Sequence, residues 1–355
     1  MIEAPPVHRD CPLGSHRVIE PTGALPQAAW QLDNTPVAGP SELLCRVDVL
    51  NIDSASFTQI AGICAGDAQA IGEHILETVR RRGKQHNPVT GSGGMFVGRI
   101  AAVGSQRADR GSLAIGDRIA SLVSLTLTPL QIEEVLEVDV ATHRVRVRGS
   151  AILFESSIYA RLPDDIDPGV ALCVFDVAGA PAQVQRLARP GMTVCVIGAD
   201  GKSGLLACAQ AKTSVGPGGH TVGIVPSADS PGARLLLEAG YVDRLIVADA
   251  RDALAVLAAI PDALPVLADL VVNCVNVGGT ELASILCARE GGTVYFFSMA
   301  TSFTAAALGA EGAGKDVTMI VGNGYARDHA QIALQTLRDR PPLHAYFNAR
   351  YGAGS

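Results

Sequence analysis

Three glycines at intervals of three, in Val194-Cys-Val-Ile-Gly198-Ala-Asp200-Gly201-Lys202-Ser203-Gly204, directly follow an apolar, β-branched run. A turn of this kind can cradle a phosphate. Gly198 permits a tight backbone turn, Gly201 lets the main chain approach a pyrophosphate, and Gly204 lets a helix pack close to its strand. The helix that begins beyond Gly201 turns unpaired N–H groups and the positive end of its dipole toward the same anion. Asp200, Lys202 and Ser203 share the turn and join the candidate cofactor contacts. The motif alone is a weak signal. Its context is strong, because strand and helix patterns alternate behind it to the end of the chain, and this reads as dinucleotide binding.

The elements around the turn follow from periodicity. Strands are expected at 193–197, 220–225, 244–248, 270–274, 293–298 and 317–321. Helices are expected at 231–239, 251–259, 280–288 and 328–338. Together they predict an α/β fold with a doubly wound parallel sheet of six strands, the Rossmann arrangement. The small-residue stretch 302–314 reads as a mobile connection. Further cofactor contacts are expected where strands end at the carboxyl edge: Asn276 after the fourth, Ser298 and Met299 after the fifth, Asn323 after the sixth. The second strand ends in Ile224-Val225-Pro226-Ser227, without the acid that commonly grips an adenosine ribose. Ser227 with Arg234 can accept a 2′-phosphate, and Asp229 can reach a ribose hydroxyl. NAD and NADP both remain candidates, with a lean toward NADP tolerance.

The first half reads differently. Residues 41–60 look like a strand ending in a polar loop, 63–84 like a helix with a basic last turn, and 97–103, 118–127 and 135–148 like further strands. A mostly antiparallel β domain is expected there. The chain has 355 residues, 48% of them hydrophobic and 4% aromatic, and a formal charge of −7 without a basic run, so no nucleic-acid partner is expected. Eight cysteines include no Cys-x-x-Cys pair and suit a reduced, cytoplasmic protein. The opening Met1-Ile-Glu-Ala-Pro-Pro lacks signal-peptide character, and no apolar run has membrane-spanning length.

A β-rich first domain containing Gly116-Asp-Arg-Ile119, followed by a late Rossmann domain, resembles the medium-chain dehydrogenase/reductase superfamily. Three strings narrow the resemblance: Cys11-Pro-Leu-Gly-Ser-His16-Arg17-Val-Ile-Glu20-Pro, Leu50-Asn51-Ile-Asp53-Ser54-Ala-Ser56-Phe-Thr-Gln, and Asn87-Pro-Val-Thr90-Gly-Ser92-Gly-Gly-Met95. They are similar to the L-erythro-3,5-diaminohexanoate dehydrogenases of lysine fermentation. The resemblance implies a GroES-like domain at 1–165 with a C-terminal return at 326–355, and a Rossmann domain at 166–325. It also implies oxidative deamination of a β-amino group to give 5-amino-3-oxohexanoate and ammonia, with NAD or NADP as hydride acceptor.

No zinc is expected. Where zinc-dependent members of the superfamily carry their ligands, this chain has Asn51 and Gly91-Ser92-Gly93, and Cys173 alone cannot build a site that needs three protein ligands. The loss suits the chemistry, because amine oxidation develops a cationic iminium that a divalent metal would oppose and a carboxylate would stabilise. The catalytic candidates are Asp53 for that charge or to grip an ammonium, Lys84 as carboxylate binder or base, and His16 and Glu20 in the most family-specific string. Arg17, Ser54, Ser56, His86, Thr90 and Ser92 are candidate substrate contacts. Each has a plain alternative: a loop cap for Asp53, a solvated helix end for Lys84, a hydrogen-bonded structural histidine for His16, an ion pair for Arg17. Two other readings stay open, a zinc-free quinone or enoyl reductase and a non-catalytic nucleotide-binding protein. The substrate is expected to be a small molecule and the assembly a homodimer.

Overall fold

The computed structural model describes residues 10–88, 91–263, 266–298, 300–322 and 324–352. The chain divides into two units, one ending at Pro163 and one beginning at Asp164.

In the first unit the organising strand is β3 (Leu43–Asn51), whose Leu43, Cys45, Val47 and Leu50 are buried. It runs antiparallel to β4 (Met95–Val103) on one side and β7 (Arg144–Leu153) on the other. Addition of β5 (Arg118–Ser121), β6 (Leu130–Asp139) and β8 (Tyr159–Arg161) gives a six-stranded sheet in the order β6-β7-β3-β4-β5-β8. Its neighbours are all antiparallel, as the alternating first half predicts. A small hairpin, β1 (Val18–Glu20) with β2 (Gln31–Leu32), stands apart.

Two expectations need correction here. Residues 135–148 are two strands, not one: Asp139 accepts bonds from the N–H groups of Ala141 and Thr142 and turns the chain between β6 and β7. Val140 and Thr142 have strand propensity and hide that turn in the sequence. The polar loop expected within 41–60 and the helix expected at 63–84 are instead α1 (Ser54–Ile63) and α2 (Ala68–Arg82). They are separated where Ala65 and Gly66 take positive φ, and Asp67 then caps α2. The α2 helix buries Ile71, Ile75 and Val79 at helical spacing, and its arginines sit at the favourable end of its dipole.

Glu42, one residue before β3, is a fully buried carboxylate with every acceptor direction filled. Oε1 accepts from His16 Nε2 at 2.8 Å and Arg17 Nε at 2.9 Å; Oε2 accepts from Arg17 Nη2 at 2.6 Å and the Gly39 N–H at 2.7 Å. Arg17 also donates to the carbonyls of Thr35 and Val37. Burial opposes ionisation, but the bonds from His16 and Arg17 win and hold the carboxyl down at about 2.

The second unit opens with α3 (Pro168–Asp176) and α4 (Gly179–Leu187). The strands β9 (Thr193–Ile197), β10 (His220–Val225), β11 (Arg244–Val247), β12 (Ala268–Asn273), β13 (Ala288–Phe296) and β14 (Thr318–Val321) form one parallel sheet, ordered β11-β10-β9-β12-β13-β14. That is the doubly wound order, with helices α5 (Lys202–Val215), α6 (Pro231–Glu238), α7 (Ala253–Ala263) and α8 (Glu281–Cys287) as crossovers. The stretch expected to be a mobile connection is the alanine-rich helix α9 (Phe303–Ala313), capped by Ser302 and ended by Gly314 at φ +62°. The C-terminal segment, expected to return to the first domain, contributes α10 (His329–Arg338), packed on α3, α4 and α5, and α11 (Pro341–Tyr351), packed on α3 and α10. Among the described residues no helix is long and apolar enough to cross a membrane.

Glu42→Gln should destabilise the protein by about 3–5 kcal/mol, because it leaves Arg17 buried without its counter-charge. The carboxyl sits at about 2 when folded against an ordinary value of 4.5, so its contribution is complete above pH 4.5 and is lost as pH falls toward 2. Urea unfolding of both proteins from pH 7 to pH 3 should show the two stabilities converging at the acid end.

Candidate functional site

The glycine turn in the second unit has the shape its sequence predicts. Gly198 lies at φ +74°, and a Cβ on Gly204 would sit 2.1 Å from the Gly198 carbonyl oxygen. Gly201 is the N-cap of α5, and no side chain caps that helix, so its first-turn N–H groups border the turn. The residues here fit a dinucleotide pyrophosphate. Lys202, the first residue of the helix, pairs with Asp176 at the end of α3. Burial lowers its pKa, but the Asp176 carboxylate more than compensates and the amine stays charged. Asp200 accepts a bond from Ser230 Oγ at 2.7 Å, and Ser230 in turn caps α6. Beyond β10, Ser227 accepts from the Asp229 N–H, and exposed Arg234 donates to the Asp229 carbonyl, so the three residues form one cluster. Ser203 is buried in the first turn of α5; Asn276 is exposed after β12; Ser298 is half-buried after β13 and accepts from the Ala300 N–H. Met299 and Asn323 lie outside the described residues.

In the first unit a polar group forms where β3 ends. Asp53 caps α1, its Oδ1 accepting the Ser56 N–H at 2.9 Å. Its Oδ2 is shielded from solvent and meets no donor among the described residues. Such an oxygen is costly unless something positive completes it. Ser54 is exposed at the first position of the helix, and Ser56 is buried with its carbonyl facing Asn87 Nδ2 at 3.4 Å. Asn87 begins the loop that carries Ser92, whose carbonyl accepts the Asn87 N–H and whose Oγ lies 3.4 Å from Ser124 Oγ. Backbone approaches backbone at Gly94, where a Cβ would stand 2.1 Å from the Asn51 carbonyl oxygen. Thr90 lies outside the described residues.

Other candidates are engaged elsewhere. His16 receives the Cys11 N–H on Nδ1 and gives its Nε2 proton to Glu42, so both ring nitrogens are spent. Arg17 belongs to the same clasp. Glu20 is exposed at the end of β1. Lys84 is fully buried and donates to the Pro26 carbonyl at 2.9 Å; burial, then Arg82, brings its pKa down to about 8. Its amine thus faces the β1–β2 connection. His86 bonds Thr126 Oγ1 through Nδ1, and burial first, then Arg82 and Lys84, brings it down to about 4. Cys173 is buried in α3.

Three neighbours of Asp53 escape the sequence reading. Asn87 lies among serine and threonine neighbours whose hydroxyls are easier to read from residue type alone. His143 and Arg144 come from the β6–β7 turn, which the single-strand reading of 135–148 concealed. Asn51 pairs with Arg144 across the sheet, the His143 carbonyl accepts the Ile52 N–H at 3.1 Å, and the His143 ring stacks on Phe57 in the first turn of α1.

Gly204→Val should weaken NADH binding, followed by fluorescence titration, roughly 10- to 100-fold, since overpacking costs about 1–3 kcal/mol. Lys84→Met tests the buried amine. The folded pKa of about 8 lies below the ordinary 10.5, so unsubstituted protein gains stability as pH rises from 8 to 10.5 while the variant does not. The stability of Lys84→Met relative to the parent should therefore fall across that interval in denaturant titrations.

Residues 16–163 match the family model described as the L-erythro-3,5-diaminohexanoate dehydrogenase N-terminal domain. The L-erythro-3,5-diaminohexanoate dehydrogenase of Acetoanaerobium sticklandii is 50% identical over 97% of this chain and 99% of its own length. The enzyme of the same name from Fusobacterium nucleatum is 47% identical over the same shares. Among solved structures, the quinone oxidoreductase from Coxiella burnetii superposes with a TM-score of 0.55 at 15% identity, covering 86% of this chain and 82% of that one. A Pseudomonas syringae quinone oxidoreductase gives 0.51 at 18% identity, with coverages of 88% and 82%. These two likenesses speak to the fold alone, an antiparallel β unit joined to a six-stranded parallel sheet. With half its residues shared along nearly its whole length, the chain belongs to the L-erythro-3,5-diaminohexanoate dehydrogenase family.

Proposed function

We propose that this protein oxidatively deaminates 3,5-diaminohexanoate to 5-amino-3-oxohexanoate and ammonia, as a step of lysine fermentation. Family membership supports the substrate, and within the structure the observation that carries the reading is the unpartnered Oδ2 of Asp53. A substrate that carries two ammonium groups and passes through an iminium needs a fixed negative charge. Asp53 supplies one whose orientation is already set by the helix it caps. Ser56, whose N–H bonds Asp53, is tied through its carbonyl to Asn87, and Asn87 to the loop that carries Ser92.

The turn at Gly198–Gly204 would hold NAD or NADP through its pyrophosphate, with the Ser227, Asp229 and Arg234 cluster meeting the adenosine ribose. Bound there, the nicotinamide supplies the hydride acceptor. The all-thiol state of the eight cysteines supports a cytoplasmic setting. A homodimer is supported by the edge strand β14, where Val321 is exposed, and by exposed Phe303 and Leu308 on α9.

The direct test is reduction of NAD and NADP by 3,5-diaminohexanoate at mildly alkaline pH, with released ammonia measured. Asp53→Asn keeps a good N-cap and removes the charge, so kcat should fall about 10²–10³-fold with little change in melting temperature. Wild-type turnover by that variant would remove Asp53 from the chemistry.

A further inference from the structure

An acid at the carboxyl end of the second Rossmann strand commonly grips the adenosine ribose, and β10 ends without one, in Val225-Pro226-Ser227. The structure brings a carboxylate to that place from another segment. Asp200, in the glycine turn after β9, accepts the Ser230 hydroxyl on Oδ2 at 2.7 Å. Ser230 stands just beyond β10 and caps α6, its Oγ accepting the Ala233 N–H at 3.0 Å. The backbones meet as well, since a Cβ on Gly232 would lie 2.2 Å from the Asp200 carbonyl oxygen. Turn and helix start are locked together, with the carboxylate between them. Asp200 is half-buried, and its Oδ1 meets no donor among the described residues.

We propose that Asp200 takes the part of the missing acid: its Oδ1 accepts the 2′-hydroxyl of the adenosine ribose and repels a 2′-phosphate, so the site selects NAD over NADP. The assignment rests on the reading of Gly198–Gly204 as the pyrophosphate turn and adds a selectivity residue to it. A hydroxyl donates to a carboxylate in a charge-assisted bond, whereas a phosphate brings close to two negative charges and acceptor oxygens. Arg234 is the group that could offset that repulsion. It is exposed, its Nη2 is turned back on the Asp229 carbonyl at 2.7 Å, and the same cluster holds the Asp229 carboxylate. An exposed arginine acts through water and recovers little of the cost. The Asp200 carboxylate lies partly within the fold, where its field is screened less. This balance reverses the lean toward NADP that neutral Ser227 gives on its own.

Fluorescence titrations of the parent, Asp200→Asn and Asp200→Ser with NADH and with NADPH test this. The two cofactors differ only in the 2′-phosphate, so damage to the turn weakens both together, while the ratio of their dissociation constants reports the charge. The parent should bind NADH roughly 10- to 100-fold more tightly than NADPH. Asp200→Asn keeps an acceptor for Ser230 and removes the charge, and should bring the two affinities close to each other by tightening NADPH as well as loosening NADH. Asp200→Ser removes the charge on a shorter side chain and should move the ratio the same way. If one variant fails to fold, the other decides. A parent that binds NADPH as tightly as NADH, or an unchanged ratio in either folded variant, would overturn the assignment and leave dinucleotide binding standing. Failure of the parent to bind either cofactor would overturn the reading of the turn, and the assignment with it.

Discussion

The end of β3 is held from both sides, and the first unit depends on that constraint. Asn51 faces Met95 across one ladder and Arg144 across the other, so the backbone there has no freedom left. Three segments are delivered to one place as a result: the loop that runs into β4, the turn that runs into β7, and α1, which departs from β3 itself. Asp53 then has a fixed direction because Oδ1 must satisfy the first turn of α1, and Oδ2 is left without a donor among the described residues. A carboxylate free to rotate would lose that direction to solvent. Here the helix cap supplies the preorganisation that makes an electrostatic contact worth having.

Around this point the molecule spends polar groups in two distinct ways. The Glu42 clasp closes on itself, with four donors meeting one carboxylate. It anchors the segment before β3 and fixes where that strand begins. The Asp53 group is left incomplete, and Lys202 in the other unit is charged but already paired with Asp176. Closed networks give rigidity, and the open one is where the proposed chemistry has room to act. The residue types alone do not tell these apart, since His16, Arg17 and Glu42 would serve equally well as catalysts or as a clasp.

That difference explains what the sequence reveals. The Rossmann half is legible because its signals are local: glycines at fixed intervals and β-branched runs act within a few residues. The stretch 302–314 was misjudged because its alanines, glycines and threonine suit a helix or a loop, and only the caps at Ser302 and Gly314 decide it. In the first half Asp53 could be selected from its neighbours, but His143 could not. It lies ninety residues further on, in a turn made of residues that favour strands, and its nearness to Phe57 exists only once the sheet is built. His16 drew attention because its string is distinctive, and that distinctiveness belongs to a buried ion pair.

The double pairing of β3 also sets a timetable. Its ladder with β7 joins Leu43 to Leu153 and Asn51 to Arg144, contacts spanning about a hundred residues of chain. During synthesis β3 can pair with β4 first, and its other edge stays open until β7 leaves the ribosome. The nascent protein thus carries an open edge of a buried, apolar strand through much of the making of its first half, and chaperone dependence should centre on that interval.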